Sequence, residues 1–428
     1  MFSMWIASSP WKRCRSAVPH NAAFRPATPG LAPEEDRRGH PPIRVLIVDD
    51  SAVIRRLVSG VIETDPRLEV VATAPNGVIA LQKVAQLQPD LVILDVEMPE
   101  LDGLGTLVEI RKAWPTLPVI MFSTLTERGA ATTIEALTRG ATDYVTKPTS
   151  LGSADLARER VREQLIPKIL AFCRRPGRRS PIVPAAIAPS GTPAFLVGTA
   201  LPPPRLPEPR QARSSRPVEA LVIGVSTGGP NALASLLPRI DAHFPVPILV
   251  VQHMPPMFTR LMSERLDALC SLHVAEATEG CVVEPGRIWI APGDFHMLPR
   301  RDGTRVVLTL STSPQENSCR PSVDPLFAAA ASIYGAGALG LILTGMGQDG
   351  LRGAGEIRKA GGRIIVQDEA SSVVWGMPGA VVRAGLADAV VPLDNIAAQL
   401  ALAVAASPSA SQGPSMATSH ADRPDHAH

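Results

Sequence analysis

Ile223-Gly224-Val225-Ser226-Thr227-Gly228-Gly229-Pro230 and Leu343-Thr344-Gly345-Met346-Gly347-Gln348-Asp349-Gly350 decide how this chain is read. Each begins at the end of an apolar run, Ala220 to Val225 and Leu339 to Leu343, with the composition of a buried strand, and each leads into a helical pattern. Ser226 and Asp349 are therefore expected at the carboxyl ends of strands in an α/β sheet, the edge where such sheets hold their chemistry. A third strand, Pro247 to Val251, ends in Gln252-His253-Met254 and brings an imidazole to the same edge. A nucleophile, a base and an acid together predict a serine hydrolase.

Ser226 lies in a G-x-S-x-G pattern, whose small flanking residues permit a sharp strand-to-helix turn that exposes the hydroxyl. Pro230 suits a first helical turn, so backbone N–H groups at the helix start can face developing negative charge. The pentapeptide alone is a weak signal, and a Gly-rich turn that only binds phosphate is its alternative. The order Ser226, His253, Asp349 departs from the Ser, acid, His order of α/β-hydrolases. His273 and His296 are rivals for the base, and Asp294 or Asp368 for the acid. His253 and Asp349 are preferred because each directly follows an apolar strand.

At 428 residues and 45% hydrophobic, the chain has material for two or three domains. A formal charge of +2 gives no overall bias toward nucleic acid, and no apolar run approaches the roughly 20 residues that span a bilayer. Five cysteines (Cys14, Cys173, Cys270, Cys281, Cys319) without paired metal-ligand spacing fit reduced thiols in a cytoplasm. Residues 1–42 are rich in Pro, Arg and Ala and read as a disordered extension or an early start codon. From 43 to 173 five strands alternate with helices, the pattern of a doubly wound parallel sheet. Residues 174–217 hold eleven prolines and eight arginines against one acidic residue, Glu208, and read as a semi-extended basic linker. A second α/β domain is expected over 218–405, then a disordered tail over 406–428.

In the first domain Asp49 and Asp50 end the first strand and Asp95 ends the third. Clustered negative charge at one sheet edge is costly without a divalent cation, and hard oxygen ligands with open positions suit Mg²⁺. Ser123, ending the fourth strand, and Lys147, before Pro148 after the fifth, add a hydroxyl and a cation. A carboxylate in that company is equipped to accept a phosphoryl group. The alternative is that these acids only cap helices.

The Asp49-Asp50, Asp95, Ser123 and Lys147-Pro148 pattern resembles response-regulator receiver domains. The resemblance implies a flavodoxin-like (βα)5 fold, Asp95 as the residue phosphorylated by a histidine kinase, and Ser123 and Lys147 as phosphate sensors. It also implies Mg²⁺ held by the Asp49-Asp50 pair, chiefly Asp50, with Asp95 and the backbone carbonyl of Glu97. In the second domain, Ile223 to Pro230, Gln252 to Pro255, Ile290 to Gly293, Arg320-Pro321-Ser322-Val323-Asp324, Leu343 to Gly350, Gln367 to Glu369 and Ser371 to Pro378 resemble the chemotaxis protein-glutamate methylesterase family, in which a receiver precedes the catalytic domain. That resemblance implies a doubly wound α/β methylesterase domain with a triad of Ser226, His253 and Asp349, and oxyanion contacts from the Thr227 and Met346 amides. It implies demethylation of methyl-accepting chemoreceptors, deamidation of receptor glutamines and no cofactor for the hydrolysis. Arg320 and the loop around Met377 are candidate receptor contacts. Val225 and Trp375 stand where the family often has alanine and phenylalanine. A scaffold without turnover and a DNA-binding regulator are the rival classes; no short recognition-helix unit or basic stripe supports the latter.

Overall fold

A computed structural model of the chain describes residues 41–148, 154–173 and 216–405. Of the expected extension over 1–42, residues 1–40 lie outside the described residues, as do most of the linker and the tail over 406–428. Among those described, the N-terminal part contains β1 (Ile43–Val48), α1 (Ala52–Ile62), β2 (Leu68–Ala74), α2 (Gly77–Leu87), β3 (Leu91–Asp95), α3 (Gly103–Ala113), β4 (Val119–Ser123), α4 (Glu127–Thr138), β5 (Asp143–Thr146) and α5 (Ala154–Phe172). The strands pair in parallel in the order β2-β1-β3-β4-β5, the flavodoxin-like arrangement. Its inner strands are buried over their apolar runs because helices cover both faces. Polar side chains start the helices. Ser51, Asn76, Asp102 and Thr126 each accept a hydrogen bond from the amide three residues on, which satisfies a donor the helix itself leaves unpaired.

The C-terminal part runs β6 (Ala220–Val225), α6 (Gly229–Leu236), β7 (Ile248–Gln252), α7 (Pro256–Asp267), β8 (His273–Glu276), β9 (Arg287–Ile290), β10 (His296–Asp302), β11 (Arg305–Ser311), α8 (Val323–Tyr334), β12 (Ala338–Ile342), α9 (Leu351–Lys359), β13 (Arg363–Gln367), α10 (Met377–Arg383), β14 (Ala389–Val391) and α11 (Leu393–Ala405). Seven strands form one parallel sheet in the order β14-β13-β12-β6-β7-β9-β8. From β6 the chain builds outward through β7, then returns to β6's other side with β12. That reversal places a topological switch point at the carboxyl ends of β6 and β12, the strands that lead to Ser226 and Asp349. β10 and β11 form a separate antiparallel pair that the apolar runs alone do not announce.

The described residues from Pro42 to Ala405 belong to one compact unit. One apolar cluster runs through both parts, with α4 against α6 and α7. Tyr144 of β5 stacks on Phe258 of α7, centroids 4.7 Å apart and planes 9° from parallel. Asn231 Nδ2 donates to the Ala141 carbonyl at 2.9 Å, and Arg260 pairs with Glu127 at 2.6 Å. The surface of the first part carrying α4 and β5 therefore rests on the helices that directly follow Ser226 and His253.

Candidate active site

The turn after β6 is shaped by glycine. Gly228 takes φ +75°, a left-handed conformation that L side chains rarely adopt, and the helix begins at the next residue. Across from it, a side chain on Gly345 would come within 2.9 Å of Ser226 Cβ, so only glycine lets the β12 loop approach the serine. The two strand ends are tied together. Ser226 N donates to Thr344 O at 3.1 Å, and Thr344 Oγ1 donates to Thr227 O at 3.0 Å. Gln252 Nε2 donates to the carbonyls of Ser226 and His253.

Within this frame Ser226 Oγ lies 3.1 Å from His253 Nδ1, and His253 Nε2 lies 2.8 Å from Asp349 Oδ2. Asp349 is buried and fully engaged. Its Oδ1 accepts from Asn317 Nδ2, Ser322 Oγ and the amides of Asp324 and Gly350, and its Oδ2 from the amide of Val323. Burial alone would raise the Asp349 pKa, but His253 and these donors hold it well below the usual carboxylate range. For His253, burial opposes the charged ring, and Asp349 and Cys319 outweigh it, raising the imidazole to about 9. A carboxylate that stays ionised beside a buried imidazole fixes its tautomer and stabilises the imidazolium, leaving Nδ1 free to take the serine proton.

The other histidines lie elsewhere. His273 is exposed and pairs with Asp267 at 2.9 Å, and His296 is bound through Nε2 to the Pro314 carbonyl and through Nδ1 to the Ser322 amide. Asp368 caps a local turn through Ser371, and Asp294 donates its amide to the Arg320 carbonyl. Thr227 is buried at the turn and Met346 half-buried in the loop before Asp349. Neither amide donates to a protein acceptor among the described residues. Arg320 turns its guanidinium onto the carbonyls of Thr312 and Ser313, and Met377 is wholly buried beneath Gly345. Sequence pattern alone assigns no role to Asn317, Ser322 or Cys319. Cys319 Sγ lies 3.5 Å from His253 Nδ1.

At the carboxyl edge of the first sheet, Asp49, Asp50 and Asp95 each bring a carboxylate oxygen within 4.8 Å of the others. Lys147 Nζ spans Asp49 and Asp95 at 2.8 Å each. Burial and the Asp49 charge push Asp95 up to about 6 against the pull of Lys147, and burial likewise raises Asp49. Three hard oxygen donors under this charge crowding fit a divalent cation such as Mg²⁺. Glu97 sits two residues beyond Asp95 and its side chain meets Arg128 at 3.7 Å. The Ser123 hydroxyl is buried and donates to the carbonyls of Thr124 and Gly129.

The family model described as CheB methylesterase matches residues 221–400, and that of the response regulator receiver domain matches residues 45–156. A protein-glutamate methylesterase/protein-glutamine glutaminase of Trichodesmium erythraeum is 49% identical over 360 residues, 84% of this chain and 98% of the relative. The chain belongs to this methylesterase family. A relative of the same name from a Nocardioides species is 49% identical over 353 residues, 82% of this chain and 93% of that protein. The crystal structure of the Thermotoga maritima CheB methylesterase catalytic domain is 44% identical, covering 43% of this chain and 97% of that one, with a TM-score of 0.42. The N-terminal part of this methylesterase, matched over residues 45–156, is its receiver domain. No helix among the described residues is long and apolar enough to cross a membrane.

Proposed function

We propose that this protein is a phosphorylation-regulated serine hydrolase that demethylates glutamate methyl esters on chemoreceptors, releasing methanol, and deamidates receptor glutamines, in chemotactic adaptation. The observation that carries the reading is the hydrogen-bonded series Ser226, His253, Asp349 at a sheet reversal. His253 Nδ1 takes the Ser226 proton as Oγ attacks the side-chain carbonyl of the methylated glutamate. Asp349 holds the ring and offsets the imidazolium charge, and the Thr227 and Met346 amides receive the oxyanion. His253 then returns the proton to departing methanol. Water, deprotonated at the same Nδ1, cleaves the acyl-enzyme and restores Ser226. For glutamine the leaving group is ammonia. The hydrolysis uses side chains and backbone amides alone.

In the receiver, Asp95 is the phosphoryl acceptor, with a histidine kinase as donor, and Lys147 offsets the added charge. Asp49, Asp50, Asp95 and the Glu97 carbonyl would hold Mg²⁺, which when bound neutralises charge on the transferring phosphoryl group. The reading sets the reaction in the cytoplasm, against the receptor's cytoplasmic helices. Initial rates of methanol release from methylated receptor membranes test it. The full chain should release methanol and Ser226→Ala should lose on the order of 10⁴-fold or more in rate while staying folded. A Ser226→Ala protein that demethylates at near the parent rate would remove the serine from the mechanism.

A further inference from the structure

His253 Nδ1 faces two protic groups, Ser226 Oγ at 3.1 Å and Cys319 Sγ at 3.5 Å. A neutral imidazole that donates Nε2–H to Asp349 has one acceptor nitrogen left, so the hydroxyl and the thiol compete for it. On the protonated ring Nδ1–H becomes a donor, and the Cys319 sulfur is placed to accept it. Its place is built in by the backbone. Glu316 and Cys319 exchange hydrogen bonds of 3.1 and 2.9 Å across a two-residue turn in which Asn317 and Ser318 take φ +52° and +60°. Positive φ at both central residues is the geometry of a type I′ turn, which normally favours glycine at the second. Here Ser318 accepts the strained conformation, and the Asn317 amide pins the turn by donating to Asp349 Oδ1 at 2.8 Å and Asp324 Oδ2 at 3.0 Å. The turn that carries the thiol is thus anchored to the acid that orients the base.

We propose that Cys319 is a positioning residue for the hydrolysis: its sulfur accepts from Nδ1–H of the protonated His253 ring and so holds the base in its protonated form, turned from the Ser226 hydroxyl, in the free enzyme. This rests on the roles given above to Ser226 and His253. The elevated proton affinity of His253, to which Cys319 contributes beside Asp349, agrees with the geometry. The charged groups around the ring are few. Asp349 faces it directly, and Asp324 stands behind Asp349 through Asn317. Arg352 lies 3.8 Å from Asp324 and pairs with Glu316, and Arg320 points away to Thr312 and Ser313. Cys319 is therefore the neighbour that can be changed without touching the triad or its acid.

The test is the pH dependence of kcat/KM for methanol release by the full chain and by Cys319→Ala and Cys319→Ser, with the His253 ring titration followed by nitrogen NMR in a Ser226→Ala background with and without Cys319→Ala. Removing the thiol should move the activity midpoint and the ring titration down by about one pH unit, and raise the rate at neutral pH by up to about tenfold. Cys319→Ser should shift them in the same direction by less, and it decides the question if the alanine variant does not fold. Midpoints that stay in place overturn the proposal, as does a lower rate with no shift, which would make Cys319 a packing residue only. The ring titration decides the matter even if the wild-type chain releases no methanol, a result that would sink the esterase reading alone.

Discussion

His253 is largely but not fully enclosed between a carboxylate and two protic side chains, and the balance among them sets when it can act as a base. Its proton is held more tightly than that of a free imidazole, which titrates near about 6.5. Only the neutral ring accepts the serine proton, so kcat/KM should climb with pH through the range between about 6.5 and about 9. A profile flat from weakly acid to weakly alkaline pH would mean that another group is the base. Ser322→Ala removes one buried donor from the Asp349 carboxylate and should lower unfolding free energy by about 1–3 kcal/mol, measured by urea denaturation. The meeting of Ser226, His253 and Asp349 was legible in the sequence because Ser226 and His253 directly follow apolar strands and Asp349 lies in the loop that follows another. Asn317, Cys319 and Ser322 were not given roles, because their segment has no apolar period and the turn depends on positive φ at Asn317 and Ser318, which neither residue type announces.

The loop after β12 and the turn after β6 meet so closely that glycine is required between them. In Gly345→Ala the new methyl would press on Ser226 and on the Met377 sulfur. The chain should fold, since the sheet beneath is untouched, while kcat falls about 10²-fold, the loss expected when reacting groups move by about an ångström. A Gly345→Ala protein with parent kcat would show that this approach is not part of the catalytic geometry. The parallel strands were easy to read, as their continuous runs of Val, Ile and Leu match strands buried on both faces. The β10–β11 pair was not, because His296-Met297-Leu298-Pro299-Arg300-Arg301-Asp302 mixes charge and proline with apolar residues and pairs only through its own partner strand. The order of strands, which sets the switch point, comes from chain crossovers that local pattern does not encode.

At the scale of the whole molecule, the receiver rests through α4 and Tyr144 on α6 and α7. On the proposed function this docked arrangement is expected to restrain the Ser226 site, and phosphate on Asp95 to shift the equilibrium toward release. A bias of about 1.4 kcal/mol gives a tenfold change in rate where the released state is rare. The Tyr144–Phe258 stack contributes about 1 kcal/mol beyond its buried area, so Tyr144→Ala should raise the unphosphorylated rate about fivefold, and an unchanged basal rate would show that the stack does not hold the restrained state. Asp95→Asn should stay at the basal rate with or without phosphodonor. The most direct measurement is methanol release from methylated receptor membranes by the full chain, with and without acetyl phosphate, beside a chain beginning near Pro217, with Ser226→Ala as the blank. A restrained site should give a low basal rate that acetyl phosphate raises, and a truncated chain faster than the unphosphorylated full chain. A well-folded truncated chain no faster than the full chain, with acetyl phosphate leaving the full chain's rate unmoved, would contradict it.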